Sequence, residues 1–427
     1  MRQINYERAK KLTSHDIRFF YSIYEYRCLS EKQAYDYFYE EAYVSLETFR
    51  RAKISKWVKN ELIEVIEYKE QKAIFLTNNA IEIIREEFGL STNIVDSEKK
   101  VVRRGYYSAA ELKMLPRLIN HQVHLNQFVL DFKALAEEYG VNWKHYGEKF
   151  VSQYFGMRPD ALLKFYGVDI FLEQDMSTES RVQLLAKWEG YRTFLRSNEA
   201  QGNTRKIIML FIIDGTKSVE KRKDLVRYTA GDSLIDLLGD KFDIYVGTRS
   251  ELLDILFSNI IPSLQMMNTM HSKLMKVMSE KHGFVIRDAA RLRNFLVETE
   301  YSFMIYKTTE EGNLLSENGR IQEYLLDDAT GCPFSMISKI AYHKRNSSAF
   351  FRENNRHIST IFIVDSEEEV KRHLKLSSLM GTDEIYFTTF NRLTKKDFSK
   401  ALFQFDRSGA MYHFADPGLI KREFTIY

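Results

Sequence analysis

The stretch RPDALLKFYGVDIFLEQD, residues 158–175, constrains the fold more than any other part of the sequence. It predicts two buried strands joined by a tight turn at Gly167. Asp160, Glu173 and Asp175 nevertheless stand at the ends of its apolar runs. Burying a carboxylate costs free energy unless a positive group or hydrogen-bond donors meet it. The pattern therefore predicts a polar site at the strand ends, and a divalent-metal site is the leading interpretation.

The segments around this stretch predict an alternation of helices and strands over residues 116–250. A long amphipathic helix ends at Gly140, and three strands follow between 141 and 175. A second long helix begins after a cap at Ser177 or Thr178, and the apolar run RKIIMLFIID then predicts another buried strand. The predicted order is αβββαβ, followed by a further helix and the strand FDIYVGT.

The first 95 residues predict a winged helix-turn-helix, because the order is helix, helix, basic helix, β-hairpin and helix. In such a module the third helix enters the major groove of DNA and the hairpin contacts phosphates. The cations that we expect to contact double-stranded DNA lie on the third helix and in the hairpin turn: Arg50, Arg51, Lys53, Lys56, Lys59, Lys69 and Lys72. The alternative is a solvated helix face on a module that binds protein.

The central region resembles the PD-(D/E)xK restriction-endonuclease-like fold. The matching residues are Pro159-Asp160 at the start of the second strand and Glu173-Gln174-Asp175 at the end of the third. The resemblance implies that Asp160, Glu173 and Asp175 bind Mg²⁺ or Mn²⁺ through oxygen ligands. Such a metal polarises the scissile phosphate of DNA and lowers the pKa of the attacking water.

One position departs from that pattern. The family motif has a lysine two residues after the glutamate, and this chain has Asp175 there. Lys187 on the following helix is the candidate replacement, because it shares one face with Leu184 and Tyr191. Asp175 is then either a further metal ligand or the partner of Lys187. A degenerate, non-catalytic copy of the fold is the alternative interpretation.

The larger combination is similar to the replication-relaxation family, found on plasmids and integrative elements of Gram-positive bacteria. The resemblance covers residues 10–250 and is strongest between Arg158 and Tyr191. It implies DNA processing or regulation on a mobile genetic element. Combined with the nuclease-like residues, the leading hypothesis is a DNA-binding protein that nicks or cleaves DNA in plasmid replication or transfer. The alternative is a non-catalytic DNA-binding regulator or an accessory factor that works with plasmid replication or conjugation proteins.

The chain is thus expected to be an α/β multidomain protein, since 427 residues exceed one ordinary domain. Strands ending in Asp214 and Asp365 are each followed by a charged helix and another strand. This parallel suggests a degenerate second copy of the nuclease-like region, with a role in homodimer formation or DNA binding; an ordinary β-α-β unit is the alternative. The predicted divisions are winged helix 1–95, basic linker 96–115, nuclease-like domain 116–250, helical connector 251–300 and α/β domain 301–427.

Composition and motifs exclude several classes. A net charge of +3 is nearly balanced, so a nucleic-acid surface has to be a local patch. Cys28 and Cys332 lack the spacing of a zinc ribbon or a disulfide scaffold. No apolar run approaches the roughly 20 residues that span a bilayer, and no apolar signal core occurs at the N-terminus. We therefore expect a cytoplasmic protein without a membrane partner.

His121 and His124 are three residues apart on the predicted helix that ends at Gly140, close enough to share a metal ion. No third ligand accompanies them at a fixed spacing. Packing or hydrogen bonding is therefore the favoured role of both imidazoles.

Overall fold

The computed structural model shows a mixed α/β protein with several sheets. It describes residues 12–69, 71–91, 93–95, 100–151, 154, 157–165, 167–215, 218–239, 241–264, 270–288, 303–317, 320–331, 333–354, 358–377, 379–381 and 384–413. The first of two compact units comprises Met1–Thr178, Ser197–Ala200 and Ile212–Thr216. The second comprises Glu179–Arg196, Gln201–Phe211 and Lys217–Tyr427.

Helices and a small antiparallel sheet form the N-terminal part of the first unit, and the sheet order is β1-β3-β2. Its elements are α1 (Ser14–Tyr26), β1 (Leu29–Ser30), α2 (Glu31–Ala34, continued by a π-helical turn Tyr35–Tyr39), α3 (Leu46–Phe49, the π-helical Arg50–Ile54 and Ser55–Lys59), β2 (Ile63–Tyr68), β3 (Gln71–Leu76) and α4 (Asn78–Phe88). The predicted capping box of Ser30 and Gln33 is present at the start of α2.

Aromatic side chains form the core of this N-terminal part. Phe19 and Phe20 on α1 are fully buried and pack on Trp57 of α3, with ring centroids 5.5 and 5.1 Å away. Tyr39 stacks on Phe49 at 4.7 Å. Such large rings bury much apolar area with few rotatable bonds, so they fix α3 against α1.

A buried ion pair lies inside this aromatic core. The Asp16 carboxylate is 1% exposed and accepts hydrogen bonds from Lys53 Nζ at 2.8 Å and from the Tyr39 hydroxyl at 2.8 Å. Burial by itself raises the pKa of Asp16, but the hydrogen bonds from Lys53, the Thr13 N–H and Tyr39 together lower it below its ordinary value. Lys53 therefore has a structural role as the counter-ion of Asp16.

The segment predicted as a basic linker, 96–115, contains regular structure in its described part. Strand β4 (Asn93–Val95) pairs with β5 (Val101–Arg104), and the short helix α5 (Ala109–Leu112) follows a capping box of Ser108 and Glu111. Part of the predicted linker thus has regular secondary structure, since residues 101–104 form a strand that pairs with β4.

A long helix and antiparallel strands complete the first unit. Helix α6 (Pro116–Glu138) ends near Gly140, whose φ is +64°, as the sequence predicts. Strands β6 (Lys144–Gly147), β7 (Ala161–Phe165) and β8 (Val168–Asp175) pair antiparallel, with Gly167 at φ +77° in the turn. The five-stranded sheet has the order β10-β9-β8-β7-β6, where β9 is Lys206–Ile213 and β10 is Phe242–Gly247.

Helices follow β8 and β9, so the predicted element order of residues 116–250 is present. They are α7 (Arg181–Leu195), the short α8 (Asn198–Gly202) and α9 (Val219–Leu234). The predicted cap of α7 was wrong, because Ser180 caps the helix in a capping box with Gln183. Ser177 instead adopts a left-handed conformation with φ +59°.

The remainder of the second unit is built on a seven-stranded sheet of order β11-β12-β15-β16-β17-β18-β19. Its strands and the small β13-β14 pair are β11 (Val285–Asp288), β12 (Phe303–Tyr306), β13 (Ser316–Glu317), β14 (Arg320–Ile321), β15 (Glu323–Asp328), β16 (Ser359–Ile363), β17 (Ile385–Thr388), β18 (Phe403–Phe405) and β19 (Met411–His413). Its helices are α10 (Arg249–Ile255, continued by Leu256–Ile260 and Ile261–Leu264), α11 (Met270–Lys276, continued by Val277–Lys281), α12 (Phe334–Asn354), α13 (Glu367–Leu376), α14 (Phe390–Lys395) and α15 (Phe398–Ala401).

The connector predicted over 251–300 is helical only through Lys281. Strand β11 lies inside it and is an edge strand of the seven-stranded sheet. Residues 289–300 lie outside the described residues. Across the described ranges, no helix has both the length and the apolar character needed to cross a membrane.

The helices and strands from α11 to β17 follow one another in the same order as those of residues 116–250. Helix α11 precedes β11, β12 and β15, which pair antiparallel, and α12 and α13 connect β15, β16 and β17, which pair parallel. This is the αβββαβαβ order predicted for residues 116–250. The β-α-β unit that begins at Ser359 is therefore present as predicted, and its origin as a second copy stays a prediction.

We predict that replacing Lys53 by methionine lowers the free energy of unfolding by about 3 kcal/mol, because it leaves the Asp16 carboxylate buried without its cation. Urea denaturation followed by circular dichroism measures this difference. The control is Lys56→Met, since Lys56 is exposed and has no ion pair within the described residues. Equal stability of the two variants would contradict a structural role of Lys53.

Candidate functional site

Two of the predicted site residues lie opposite each other at one end of the β7–β8 strand pair. Ala161 of β7 faces Leu172 of β8, so continuing the register by one residue brings Asp160 opposite Glu173. Glu173 is 2% exposed and Asp175 is 1% exposed. All residues of β8 are buried, so these carboxylates lie in a low-dielectric environment where each contact of their oxygens matters.

The Asp160 carboxylate has a structural task at the strand end. Its Oδ2 accepts the backbone N–H of Gln174 at 2.8 Å and lies 3.2 Å from His121 Nε2. Gln174 is itself buried, so an unsatisfied N–H there would be costly. The Asp160 side chain thus accepts a hydrogen bond from β8 at the end of the β7–β8 pair, a role that a backbone carbonyl has elsewhere in the sheet.

The ends of β8 and β9 are joined by a short hydrogen-bond network. The Asp214 N–H donates to the Asp175 carbonyl at 2.9 Å, and the Ser177 N–H donates to Asp175 Oδ1 at 2.8 Å. The Ser177 hydroxyl donates to the Asp214 carbonyl at 3.0 Å. These bonds explain why Ser177 turns the chain at this place and leaves the capping of α7 to Ser180.

Helix α6 supplies a histidine to each of two aspartates. His121 faces Asp160, and His124 Nδ1 lies 2.5 Å from Asp214 Oδ2. The prediction that packing or hydrogen bonding is the role of both histidines agrees with these contacts. Asp214 was not among the predicted site residues, although its position directly after the apolar strand β9 is the same signal that singled out Asp175.

Lys187, the lysine of α7 that was predicted as a site residue, lies in the second unit. Lys187 Nζ pairs with Glu179 Oε1 at 3.0 Å and lies 5.4 Å from the centre of the Phe211 ring. Leu184 and Tyr191, its neighbours on the predicted helix face, are fully buried. A pairing of Lys187 with Asp175 stays a prediction.

The predicted metal ligands do not form a three-ligand centre. Within the described part of the chain, no three His, Cys, Asp or Glu side chains are arranged to hold a metal ion. Asp160 Oδ2 and Asp175 Oδ1 accept backbone N–H groups. Mg²⁺ usually binds one or two protein carboxylates and completes its shell with waters and substrate phosphates. The Asp160 and Glu173 pair fits that smaller requirement.

The cations predicted to contact DNA fall into two groups. Arg50 pairs with the buried Glu31 at 2.7 Å and with Glu47 at 2.5 Å, and Lys53 pairs with Asp16. These two hold the fold together. The others are more exposed: Arg51 (2.9 Å from Glu47), Lys56, Lys59, Lys69 (over the Tyr68 ring) and Lys72 (3.7 Å from Glu67).

We predict that Asp160→Ala lowers the free energy of unfolding by about 1 to 3 kcal/mol, because the buried Gln174 N–H loses its acceptor. Asp160→Asn is the matched variant, since its amide oxygen still accepts this hydrogen bond. Thermal denaturation monitored by circular dichroism compares both with the unaltered chain. If alanine and asparagine destabilise equally, the hydrogen bond to Gln174 is not what stabilises this strand end.

Part of the chain matches the model of a known protein family. Residues 20–210 match the model of the replication-relaxation family, a range that contains α1 through most of β9. No curated protein and no solved structure is significantly similar to the chain. The match includes His121, His124, Asp160, Glu173 and Asp175, and it agrees with the resemblance seen in the sequence. Residues 20–210 of this chain are therefore similar to the replication-relaxation family.

Proposed function

We propose that the chain binds double-stranded DNA through a winged helix at its N-terminus and acts in plasmid replication or transfer. The family match supports the process. The topology of the N-terminal part supports the DNA contact and carries the proposal. Helix α3 follows the short α2, and the hairpin β2–β3 joins β1 in a sheet of order β1-β3-β2.

Helix α3 has the surface that such a contact needs. Its apolar side, with Phe49 and Trp57, is buried in the aromatic core. Its opposite side exposes Arg51, Lys56 and Lys59 together with the hydroxyl residues Thr48 and Ser55. Lysine and arginine neutralise phosphates, and hydroxyl groups hydrogen bond to phosphates or base edges. The exposed side thus combines the groups for affinity with groups for orientation.

The double variant Lys56→Gln with Lys59→Gln tests this contact. Each phosphate contact adds about 0.9 to the slope of log K against log salt concentration, so the slope should become shallower by about 2. Fluorescence anisotropy with a labelled DNA duplex at several salt concentrations measures it. Lys133→Gln is the control, because Lys133 is a half-exposed lysine of α6 paired with Glu137 at 2.9 Å.

An unchanged slope in the double variant, with the fold intact, would contradict DNA binding by α3. A wild-type chain without DNA affinity at low salt, where phosphate contacts are strongest, would instead favour a winged helix that binds a protein partner.

A second candidate function is metal-dependent cleavage of DNA by the nuclease-like region 116–250. The observation that favours it is the pairing of the half-buried Asp160, directly before β7, with the buried Glu173 at the end of the neighbouring strand β8. When bound, Mg²⁺ or Mn²⁺ would polarise a phosphate and lower the pKa of a water. Asp175 would orient the strand end through Ser177, and Lys187 would be the cation for the phosphate. The rival is a protein that uses the same fold only to hold DNA.

We predict that the chain nicks supercoiled plasmid in the presence of Mg²⁺ or Mn²⁺ and that Glu173→Gln loses this activity while keeping DNA affinity. Gel electrophoresis of the plasmid measures nicking. Asp169→Asn is the matched control, because Asp169 is a carboxylate of the same strand, equally buried and paired with Lys164 at 3.5 Å. Plasmid binding without nicking by the unaltered chain would favour the non-catalytic regulator.

A further inference from the structure

A cavity of about 260 Å³ lies in the first unit, and none of the predicted metal ligands or α3 cations is among its lining residues. Helix α1, strand β4, the segment after β5 and strand β6 contribute to its wall. Five of its thirteen lining residues are tyrosine or phenylalanine, and one is an acid: Tyr21, Tyr24, Tyr106, Tyr146, Phe150 and Glu25. Among the described residues that line it, none is a lysine or arginine.

Glu25 is the only carboxylate among those lining residues. Burial raises the pKa of Glu25 to about 7, although a hydrogen bond with Tyr21 opposes the change. Within the described residues, no lysine or arginine forms an ion pair with Glu25. The ionised carboxylate is thus destabilised inside the cavity, and a cation placed beside it would restore the charged form.

The other titratable groups of the wall do not supply that cation. Burial lowers the pKa of His145 to about 4, so its imidazole is neutral at physiological pH. Burial and the charge of Glu25 raise the pKa of Tyr21 to about 12, and burial also raises the pKa of Tyr24. Tyr106 and Tyr146 add further phenol rings. Around neutral pH, Glu25 is therefore the lining group that changes its charge.

The backbone is closely packed where Gly147 lines the cavity. A Cβ atom on Gly147 would lie 3.1 Å from the carbonyl oxygen of Glu25, closer than ordinary van der Waals contact. Tyr26, next to Glu25, stacks on His145 with ring centroids 5.0 Å apart. These contacts hold α1 and β6 together, so the position of Glu25 relative to the rings is fixed before any ligand enters.

Rings around one acid form a site for a positively charged organic group. The faces of aromatic rings attract cations, and a desolvated carboxylate gains most from a cationic partner. A neutral planar molecule would stack on the rings but would leave the charge of Glu25 uncompensated. We propose that this cavity binds an organic ammonium ion, with Glu25 as its counter-ion and the surrounding tyrosines as its aromatic wall.

The test uses the full chain, choline chloride as the probe and isothermal titration calorimetry at pH 8. The neutral isostere 3,3-dimethylbutan-1-ol has the shape of choline without its charge. We expect choline to bind at least about tenfold more tightly than the isostere, since cation–π and ionic attraction act on the charge alone. Equal affinities would overturn the proposal, as would tighter binding of deoxyadenosine than of choline or a lack of choline binding.

Variants assign the charge effect to Glu25. Glu25→Gln should weaken choline binding at least about tenfold, whereas Glu64→Gln should not change it. Glu64 is the matched control, an exposed acid of β2 paired with Lys113 at 2.8 Å. Tyr146→Leu provides a second test in case Glu25→Gln alters the fold, because it removes one ring and keeps the acid. Unchanged binding in both cavity variants would overturn the proposal.

The pH dependence gives an independent readout. Because the pKa of Glu25 is about 7 and choline needs the ionised form, affinity should fall about tenfold between pH 8 and pH 6. Choline itself carries a fixed charge, so the change reports on the protein. The Glu25→Gln variant should show no such change, and a wild-type affinity independent of pH would overturn the assignment of Glu25 as counter-ion.

Discussion

The contact of helix α6 with two strand ends is the constraint on which the central region depends. His121 and His124 are one helical turn apart, and they face Asp160 and Asp214, residues far apart in the sequence. Asp214 in turn donates its N–H to the carbonyl of Asp175. One helix therefore fixes the start of β7 and the ends of β8 and β9, so the carboxylates of this edge are held by hydrogen bonds to neighbouring elements.

These hydrogen bonds affect how mutations of the three predicted metal ligands have to be interpreted. Asp160 accepts an N–H of β8, and Asp175 accepts an N–H of the following turn, so each has a role in the fold apart from any chemistry. Loss of activity on removing either side chain would mix two causes. Glu173 is the more informative position, because a glutamine there preserves the size of the side chain and one of its acceptor oxygens while removing its charge.

The cations of α3 show the same division between structure and function. Arg50 and Lys53 neutralise the buried acids Glu31 and Asp16, whereas Lys56 and Lys59 are exposed to solvent. A basic helix in a nearly neutral chain thus carries fewer available charges than its sequence suggests. Ion pairs with buried acids are costly to break, so these two cations are poor candidates for phosphate contacts.

Some features were predictable because they depend on local periodicity. The apolar runs predicted β7, β8 and β9 in the right order, Gly140 and Gly167 marked a helix end and a turn, and Ser30 with Gln33 marked a cap. The predictions failed where a strand is stabilised by a partner strand rather than by its own local pattern of residues. Strand β5 inside the predicted linker and strand β11 inside the predicted connector were not foreseen, and pairing with another strand stabilises each of them.

The sequence by itself determined the α/β class, the order of elements from 116 to 250 and the similarity of residues 20–210 to the replication-relaxation family, because spacing and short motifs carry that information. Only the tertiary structure decided which polar groups meet. The pairing of His124 with Asp214 and of Lys53 with Asp16 joins residues whose distance in the chain is large. Such contacts depend on how helices pack on strands and on each other, and no local pattern of residues encodes that packing.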